Sequence, residues 1–130
     1  MDIPQRIKLH KKSKQLELVF GHIEYMLDAE YLRVYSPSAE VKGHGPGQEV
    51  LQYGKMDVAI EKVEPVGNYA LQIVFDDGHD SGLYSWNYLA DLGHKKDANW
   101  QDYLRRLEAA GKSRDANVSV VNLIDPTPTL

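Results

Sequence analysis

Residues 29–48 read AEYLRVYSPSAEVKGHGPGQ, and this stretch passes from helix-compatible residues into a glycine-rich loop. Asp28 precedes it and is predicted to cap a short helix, because a carboxylate can accept hydrogen bonds from the unpaired amides of a first turn. Pro37 disfavours helical geometry at the residue before it, so the predicted helix covers residues 29–34. The GHGPG run at residues 43–47 is predicted to be a loop.

On both sides of this stretch, apolar and polar residues alternate as they do in strands with one buried face. The first two runs flank a lysine-rich turn at residues 11–14, which predicts a hairpin. The predicted strands and shorter extended pieces are residues 6–10, 15–20, 25–27, 58–63, 71–75 and 83–84.

Two further helices are predicted near the C-terminus. The first covers residues 86–92 and is predicted to end at Gly93. The second is predicted to begin at Asp97, a good N-cap, and to stop at Gly111. It carries one apolar stripe with helical spacing, formed by Trp100, Tyr103, Leu104 and Leu107.

The chain contains a weak internal repeat. LELVF at residues 16–20 resembles LQIVF at 71–75, and each is followed by a related helical segment, EYLRV at 30–34 and NYLAD at 87–91. The repeat predicts an α+β fold of mostly antiparallel strands, arranged in two hairpin-strand-helix units with short helices and one C-terminal amphipathic helix. Chance similarity between amphipathic segments is the alternative explanation.

Length and composition favour one cysteine-free domain in the cytoplasm. The 130 residues suit a single domain, predicted over residues 1–112, followed by a partly disordered tail at 113–130. The absence of cysteine excludes disulfides and thiolate metal sites within this chain. The basic N-terminus leaves an acidic remainder, which argues against general nucleic-acid binding. No signal peptide or membrane-spanning segment is expected.

The repeat also predicts that two loops, residues 36–48 and 76–82, are structurally equivalent. Each carries a histidine, His44 and His79, and three aspartates surround the second histidine. Imidazole and carboxylate groups together could hold a divalent metal, although the spacing matches no strong metal motif. The alternative is that both histidines are ordinary surface residues. No catalytic residues are predicted, because no complete nucleophile–base set is present.

Two segments, EYLRVYSPSAEVKGHGPGQ and FDDGHDSGLYSWNYL, resemble the γ-butyrobetaine hydroxylase-like N-terminal domain family. The resemblance covers about residues 3–110. Members of that family occur as small bacterial proteins, as N-terminal modules of γ-butyrobetaine and trimethyllysine dioxygenases, and at the end of some Mrp-type iron–sulfur carrier ATPases. The resemblance implies a compact, mostly β domain with short helices.

In the dioxygenases, this module binds a structural zinc through three cysteines and one histidine. The resemblance places the cysteine positions on Ser36, Ser38 and Val41, and the histidine on His79. Only the histidine is kept, so the family's zinc site is expected to be absent and no cofactor is expected. His44 and His79 could instead support a weaker, different zinc or iron site. The dioxygenase catalytic domain has no counterpart in this chain.

The sequence therefore favours a non-enzymatic accessory or interaction module. The resemblance suggests a protein partner, for which an iron–sulfur carrier ATPase is the candidate. The alternative function is a metal- or small-ligand-binding protein that uses His79 and His44. The predicted interaction surface consists of Arg33, Ser36, Pro37, Ser38, Glu40, His44, Tyr84 and Trp86.

Overall fold

The computed structural model describes residues 3–121. Within that range, no helix combines the length and the apolar character that a membrane span needs. The strands are β1 (Arg6–His10), β2 (Gln15–Phe20), β3 (Ile23–Asp28), β4 (Ile60–Val66), β5 (Ala70–Phe75) and β6 (Leu83–Ser85). The helices are α1 (Ala29–Val34), α2 (Ala39–Lys42), α3 (Trp86–His94) and α4 (Lys96–Ala110).

The strands form two three-stranded antiparallel sheets, in the orders β1-β2-β3 and β4-β5-β6. The sequence repeat aligns the two central strands, β2 and β5, and a helix follows the third strand of each sheet. The predicted α+β class is confirmed, as are the two strand-rich units and the C-terminal helix. Each unit is a meander, since every strand pairs with its neighbour in the chain.

One hydrophobic core joins the two sheets. Alternate residues of the central strands turn inward, as the period of two requires for a sheet with one buried face. The two equivalent inward-facing sets have matching apolar chemistry. They are Leu16, Leu18 and Phe20 on β2, and Leu71, Ile73 and Phe75 on β5.

Helices α1 and α3 exchange hydrogen bonds through equivalent tyrosines. The Tyr31 hydroxyl donates to the backbone oxygen of Leu92 at 2.6 Å, and the Tyr88 hydroxyl donates to that of Tyr35 at 2.6 Å. Leu92 follows Tyr88 by one helical turn, and Tyr35 follows Tyr31 by one helical turn. Carbonyls at such positions lie near the end of a helix, where they have no donor within the helix and need one from outside it. The two units are therefore fixed to each other by a reciprocal pair of contacts.

Three local sequence signals had a different physical basis from the predicted one. Asp97 lies in the first turn of α4 and is not its N-cap, because the helix begins at Lys96. Asp28 lies at the N-cap of α1, but its carboxylate accepts a hydrogen bond from the Gln15 side chain at 3.0 Å and does not cap the helix. The third helix continues through Gly93 to His94. This glycine admits a neighbouring ring, because an added Cβ would lie 2.4 Å from the Tyr25 side chain. Its role is close packing within the helix.

The two histidine-bearing loops are not equivalent, contrary to the prediction from the repeat. Residues 76–82 connect β5 to β6, so their counterpart in the first unit is the short β2–β3 connection at residues 21–22. Residues 36–48 instead follow α1 and contain α2, whose N-cap is Ser38. The loops nevertheless meet in space, as described below.

The segment after α4 is held against the body of the protein. The amides of Gly54 and Met56 donate to the backbone oxygens of Ser113 and Arg114 at 2.9 and 3.0 Å. Arg114 also forms a two-pronged ion pair with the buried carboxylate of Glu30, at 2.8 and 2.6 Å. The rest of the predicted loose tail, residues 122–130, lies outside the described residues.

The tyrosine exchange predicts a specific stability loss. Substituting Tyr88→Phe should lower the free energy of unfolding by about 1–3 kcal/mol, because a partly buried carbonyl loses its donor while the ring is kept. Tyr69→Phe is the matched control, since Tyr69 is 59% exposed, and its effect should stay within about 0.5 kcal/mol. Urea unfolding measures both; equal losses would show that the Tyr88 hydroxyl contributes nothing.

Candidate functional site

A buried histidine joins the two loops. His79 is 7% exposed and lies between β5 and β6. Its Nε2 is 2.8 Å from the hydroxyl of Ser36, and its Nδ1 is 3.2 Å from a carboxylate oxygen of Glu40. Both partners come from the segment after α1. The loops that carry the candidate residues are therefore bound to each other through one imidazole.

The polar contacts around His79 indicate its tautomer. The Glu40 carboxylate has no proton to donate, so its 3.2 Å contact with Nδ1 favours the tautomer that carries the ring proton there, and the Ser81 hydroxyl donates to the same carboxylate oxygen at 2.9 Å. Neutral His79 then accepts at Nε2 from the Ser36 hydroxyl, whose oxygen accepts from the Ser38 amide at 3.2 Å. The Ser38 hydroxyl donates to Ser81 at 2.8 Å. Each polar group in this network, the His79 cluster, has a protein partner.

The order serine, histidine, carboxylate is also the order found in serine hydrolases. Here, however, Ser36 is 0% exposed. Its hydroxyl packs against Gly82, where an added Cβ would lie 2.6 Å from the oxygen. An acyl substrate cannot reach the hydroxyl in this conformation. The arrangement therefore serves as a structural connection between the loops.

A set of charges adjoins the His79 cluster. Asp77 accepts from Arg33 at 2.9 Å, from Lys55 at 2.8 Å and from the His79 amide at 3.1 Å. Burial acts to raise the pKa of Asp77, but these three hydrogen bonds outweigh it and lower the pKa to about 2. Burial lowers the pKa of His79, and the positive charges of Arg33 and Lys55 add to that effect against the carboxylates of Glu40 and Asp77.

The positions where the family resemblance places zinc ligands do lie together. Ser36 and Ser38 belong to the His79 cluster, and Val41 lines the same pocket of about 280 Å³ as His79. Two hydroxyls and an isopropyl group are poor substitutes for thiolates, so these residues do not fit a structural zinc. Within residues 3–121, no group of three or more histidine, cysteine, aspartate or glutamate side chains has a metal-holding arrangement.

His44 lies elsewhere, at a larger cleft. It is exposed and lines a cleft of about 910 Å³ between residues 41–52, α3 and α4. His44 is not among the described residues that line the pocket beside His79. Val41 and Gln52 line both that pocket and the cleft. The two cavities are therefore neighbours with a shared wall. A joint metal site of His44 and His79 stays a prediction.

Most of the predicted interaction surface is buried. Five of its eight residues have side chains turned into the protein: Arg33, Ser36, Ser38, Tyr84 and Trp86. The Tyr84 hydroxyl, for example, donates to the backbone oxygen of Leu32 at 2.5 Å, and the Trp86 indole donates to that of Asn68 at 2.8 Å. Of these, Ser36, Ser38, Tyr84 and Trp86 face the protein interior, whereas Arg33 lines the pocket beside His79. Glu40 and His44 are exposed, and Pro37 is half-buried.

The cleft contains residues that the sequence analysis did not select. Its walls include Lys42, Val50, Tyr88, Lys95 and Arg106. They come from α2, an irregular loop and two helices, so no single motif or periodicity connects them. Val50 is an apolar residue between the glycine-rich loop and the next predicted strand, but its exposure is visible only in the structure.

The fold and the His79 cluster define a class of α+β domain in which two antiparallel meanders are joined by helices and by a histidine-centred network. The model of the family described as "Gamma-butyrobetaine hydroxylase-like, N-terminal" matches residues 7–90, and the chain belongs to this family. The resemblance inferred from the sequence is thus confirmed. The match ends before α4.

Solved structures of similar chains agree with this assignment. A protein solved in solution by NMR is 58% identical, with a TM-score of 0.83, and the alignment covers 95% of this chain and 98% of that chain. A second NMR structure is 45% identical, with a TM-score of 0.77 and coverages of 99% and 95%. A protein of unknown function of the DUF971 family from Acidithiobacillus ferrooxidans is 33% identical, with a TM-score of 0.59 and coverages of 70% and 92%. No curated protein matches the chain.

The lowered pKa of His79 predicts a pH-dependent stability. Below the usual pKa of about 6.5, the unfolded chain binds a proton at this histidine more readily than the folded protein does. The free energy of unfolding should therefore fall as the pH is lowered from 7 towards 5. Above pH 7, neutral His79 makes its full contribution to the free energy of unfolding.

The measurement is urea unfolding across this pH range, with His79→Gln compared against His22→Gln, in which an exposed histidine is replaced. The acid-dependent loss should shrink in the first variant and persist in the second. Identical pH profiles for wild type and His79→Gln would contradict the assignment. Because the variant is compared by its slope with pH, a general loss of stability does not obscure the result.

Proposed function

We propose that this protein is a non-catalytic, cytoplasmic protein-binding module whose partner docks in the cleft between residues 41–52, α3 and α4. The observation that carries the proposal is the contrast between the two sites. The polar groups of the His79 cluster are satisfied within the chain, whereas the cleft is open and wide, with a volume of about 910 Å³.

The floor of the cleft is aromatic and already organised. The Tyr35 hydroxyl donates to the backbone oxygen of Asn99 at 2.8 Å, so its ring is fixed in place. The ammonium group of Lys42 lies 4.5 Å from the centre of the Tyr88 ring, and the Arg106 guanidinium lies 5.7 Å from that of Tyr35. Fixed aromatic rings bordered by cations offer large contact area at low entropic cost, as protein interfaces do.

The rim of the cleft carries charges of both signs around an exposed apolar residue. The charged side chains are Lys42, Lys95, Arg106, Glu49, Asp91 and Asp102. Val50 is 53% exposed among them. An apolar and aromatic centre with a mixed polar rim is the usual composition of a transient protein interface. This composition supports a protein segment as the occupant.

Two further findings support a binding role. The family match consists of the N-terminal module alone, without a catalytic domain. The family resemblance also includes fusions to iron–sulfur carrier ATPases, and we propose such an ATPase as the partner to test first.

The cleft proposal predicts the effect of one exposed substitution. Val50→Glu should reduce partner capture at least about tenfold, because a carboxylate that binding would desolvate replaces the exposed apolar side chain of the cleft. Val118→Glu is the matched control, since Val118 is 50% exposed and lies outside the cleft. Neither change should affect unfolding.

The measurement is affinity capture from lysate, followed by a binding assay with the purified ATPase and both variants. Capture of the same partner by wild type and Val118→Glu, with loss in Val50→Glu, is the expected result. Equal loss in the two variants, or no partner above background, would contradict a cleft-based interaction.

A metal- or small-ligand-binding function is the alternative proposal. Its support is that His79 lies beside the positions that carry zinc ligands in the dioxygenases, as the resemblance implies. A metal at His79 would have to displace Ser36 from Nε2 or Glu40 from Nδ1, because both ring nitrogens are already engaged. Zinc titration observed through the His79 ring signals tests this, and an unresponsive ring would reject the alternative.

A further inference from the structure

Arg33 is a buried arginine with an unused donor group. Its side chain is 8% exposed and lines the pocket of about 280 Å³ beside His79. Its Nε donates to Asp77 at 2.9 Å, and its Nη1 donates to Gln52 at 3.0 Å. No residue between 3 and 121 accepts a hydrogen bond from its Nη2. A buried cationic donor without an acceptor is costly, so an acceptor from outside the chain is expected.

The charges of the pocket restrict what that acceptor can be. Arg33 and Lys55 contribute two positive charges, and Asp77 and Glu40 contribute two negative charges. Asp77 is engaged by both cations, and Glu40 is engaged by His79 and Ser81. A ligand with one negative charge therefore fits this nearly neutral site better than a phosphate with two.

The geometry of guanidinium favours a carboxylate in particular. Its parallel N–H groups match the two oxygens of a planar carboxylate, and such charge-assisted hydrogen bonds are roughly twice as strong as neutral ones. Lys55, with 23% of its side chain exposed, contacts the same Asp77 oxygen as Arg33 Nε and can therefore contribute a second donor beside the guanidinium. Asp77 accepts a single hydrogen bond from this guanidinium, through Nε, and does not use Nη2.

The position of the pocket connects it to the cleft. Val41 and Gln52 line both cavities, so the two cavities adjoin, and a bound segment that covers both can present one side chain to each. Gln52 also holds Arg33 Nη1, which places the guanidinium at the boundary. A partner bound in the cleft would therefore lie next to the Arg33 guanidinium.

We propose that the Arg33 pocket, defined by Arg33, Gln52, Asp77 and His79, binds a carboxylate of the partner protein. The carboxylate is an Asp or Glu side chain or the end of the partner's chain. This inference rests on the proposed function and makes it more specific, because it states the chemistry of the segment that the cleft receives.

The first experiment titrates ¹⁵N-labelled protein with acetate, and with acetamide as the neutral control of the same shape, at constant ionic strength. Acetate should shift the Arg33 Nε–H signal and the Gly78 and His79 amides to saturation, and acetamide should not. Lys55→Met should weaken acetate binding about threefold to tenfold, through loss of one charged donor. Lys62→Met is the control, since Lys62 is exposed on β4, and it should leave binding unchanged.

Arg33→Lys should abolish the acetate response, because an ammonium group cannot reproduce the guanidinium's paired donors. If this variant does not fold, the wild-type comparison of acetate with acetamide and the Lys55→Met variant still decide the question. Equal responses to acetate and acetamide, or no response to either, would overturn the proposal and leave water as the acceptor for Nη2.

Short peptides separate the two sources of the carboxylate. Acetyl-Gly-Glu-Gly-amide carries only the side-chain carboxylate, and acetyl-Gly-Gln-Gly with a free end carries only the terminal one. Tighter binding than acetate by one of them identifies the source, and binding no tighter than acetate by both overturns the role in partner recognition. If Val50→Glu loses the partner but acetate does not bind, the carboxylate inference fails while the cleft proposal stands.

Discussion

The reciprocal hydrogen bonds between Tyr31 and Leu92 and between Tyr88 and Tyr35 determine how the two halves of this protein meet. Each bond satisfies a carbonyl near the end of the other helix, so neither half completes its helix alone. The chain leaves α1 at Tyr35 and reaches Ser36 one residue later. The same contact that joins the halves therefore places Ser36 at His79 and sets α3 as a wall of the cleft.

Much of the fold was predictable because its signals are local. Alternation at residues 16–20 and 71–75 identified both central strands, and Gly111 marked the end of the last helix. Gly93 misled because its role depends on a ring from a distant strand. Asp28 misled because a side chain on a neighbouring strand competes for its carboxylate. Chain order alone does not reveal such tertiary contacts.

The candidate site also combines residues that local signals could predict with residues that only tertiary contacts define. The sequence singled out Ser36, Glu40 and His79, which the fold brings together. It could not show that burial turns Ser36, Tyr84 and other selected side chains away from solvent. The cleft combines α2, a loop of irregular structure and two helices, so its lining residues share no pattern. Contacts between elements decide which residues are available for binding, and these depend on the packing of the complete core.

The His79 cluster suggests how the same place in a family fold can be held together either by a metal or by hydrogen bonds. Where the resemblance implies a metal, this chain closes the loops with hydroxyls and an imidazole. The account is tested most directly by the ¹⁵N spectrum of the His79 ring at pH 7, with and without zinc. It predicts a neutral ring protonated at Nδ1 and unchanged by one equivalent of zinc. A charged ring, a proton at Nε2, or a zinc-dependent shift at stoichiometric metal would contradict it.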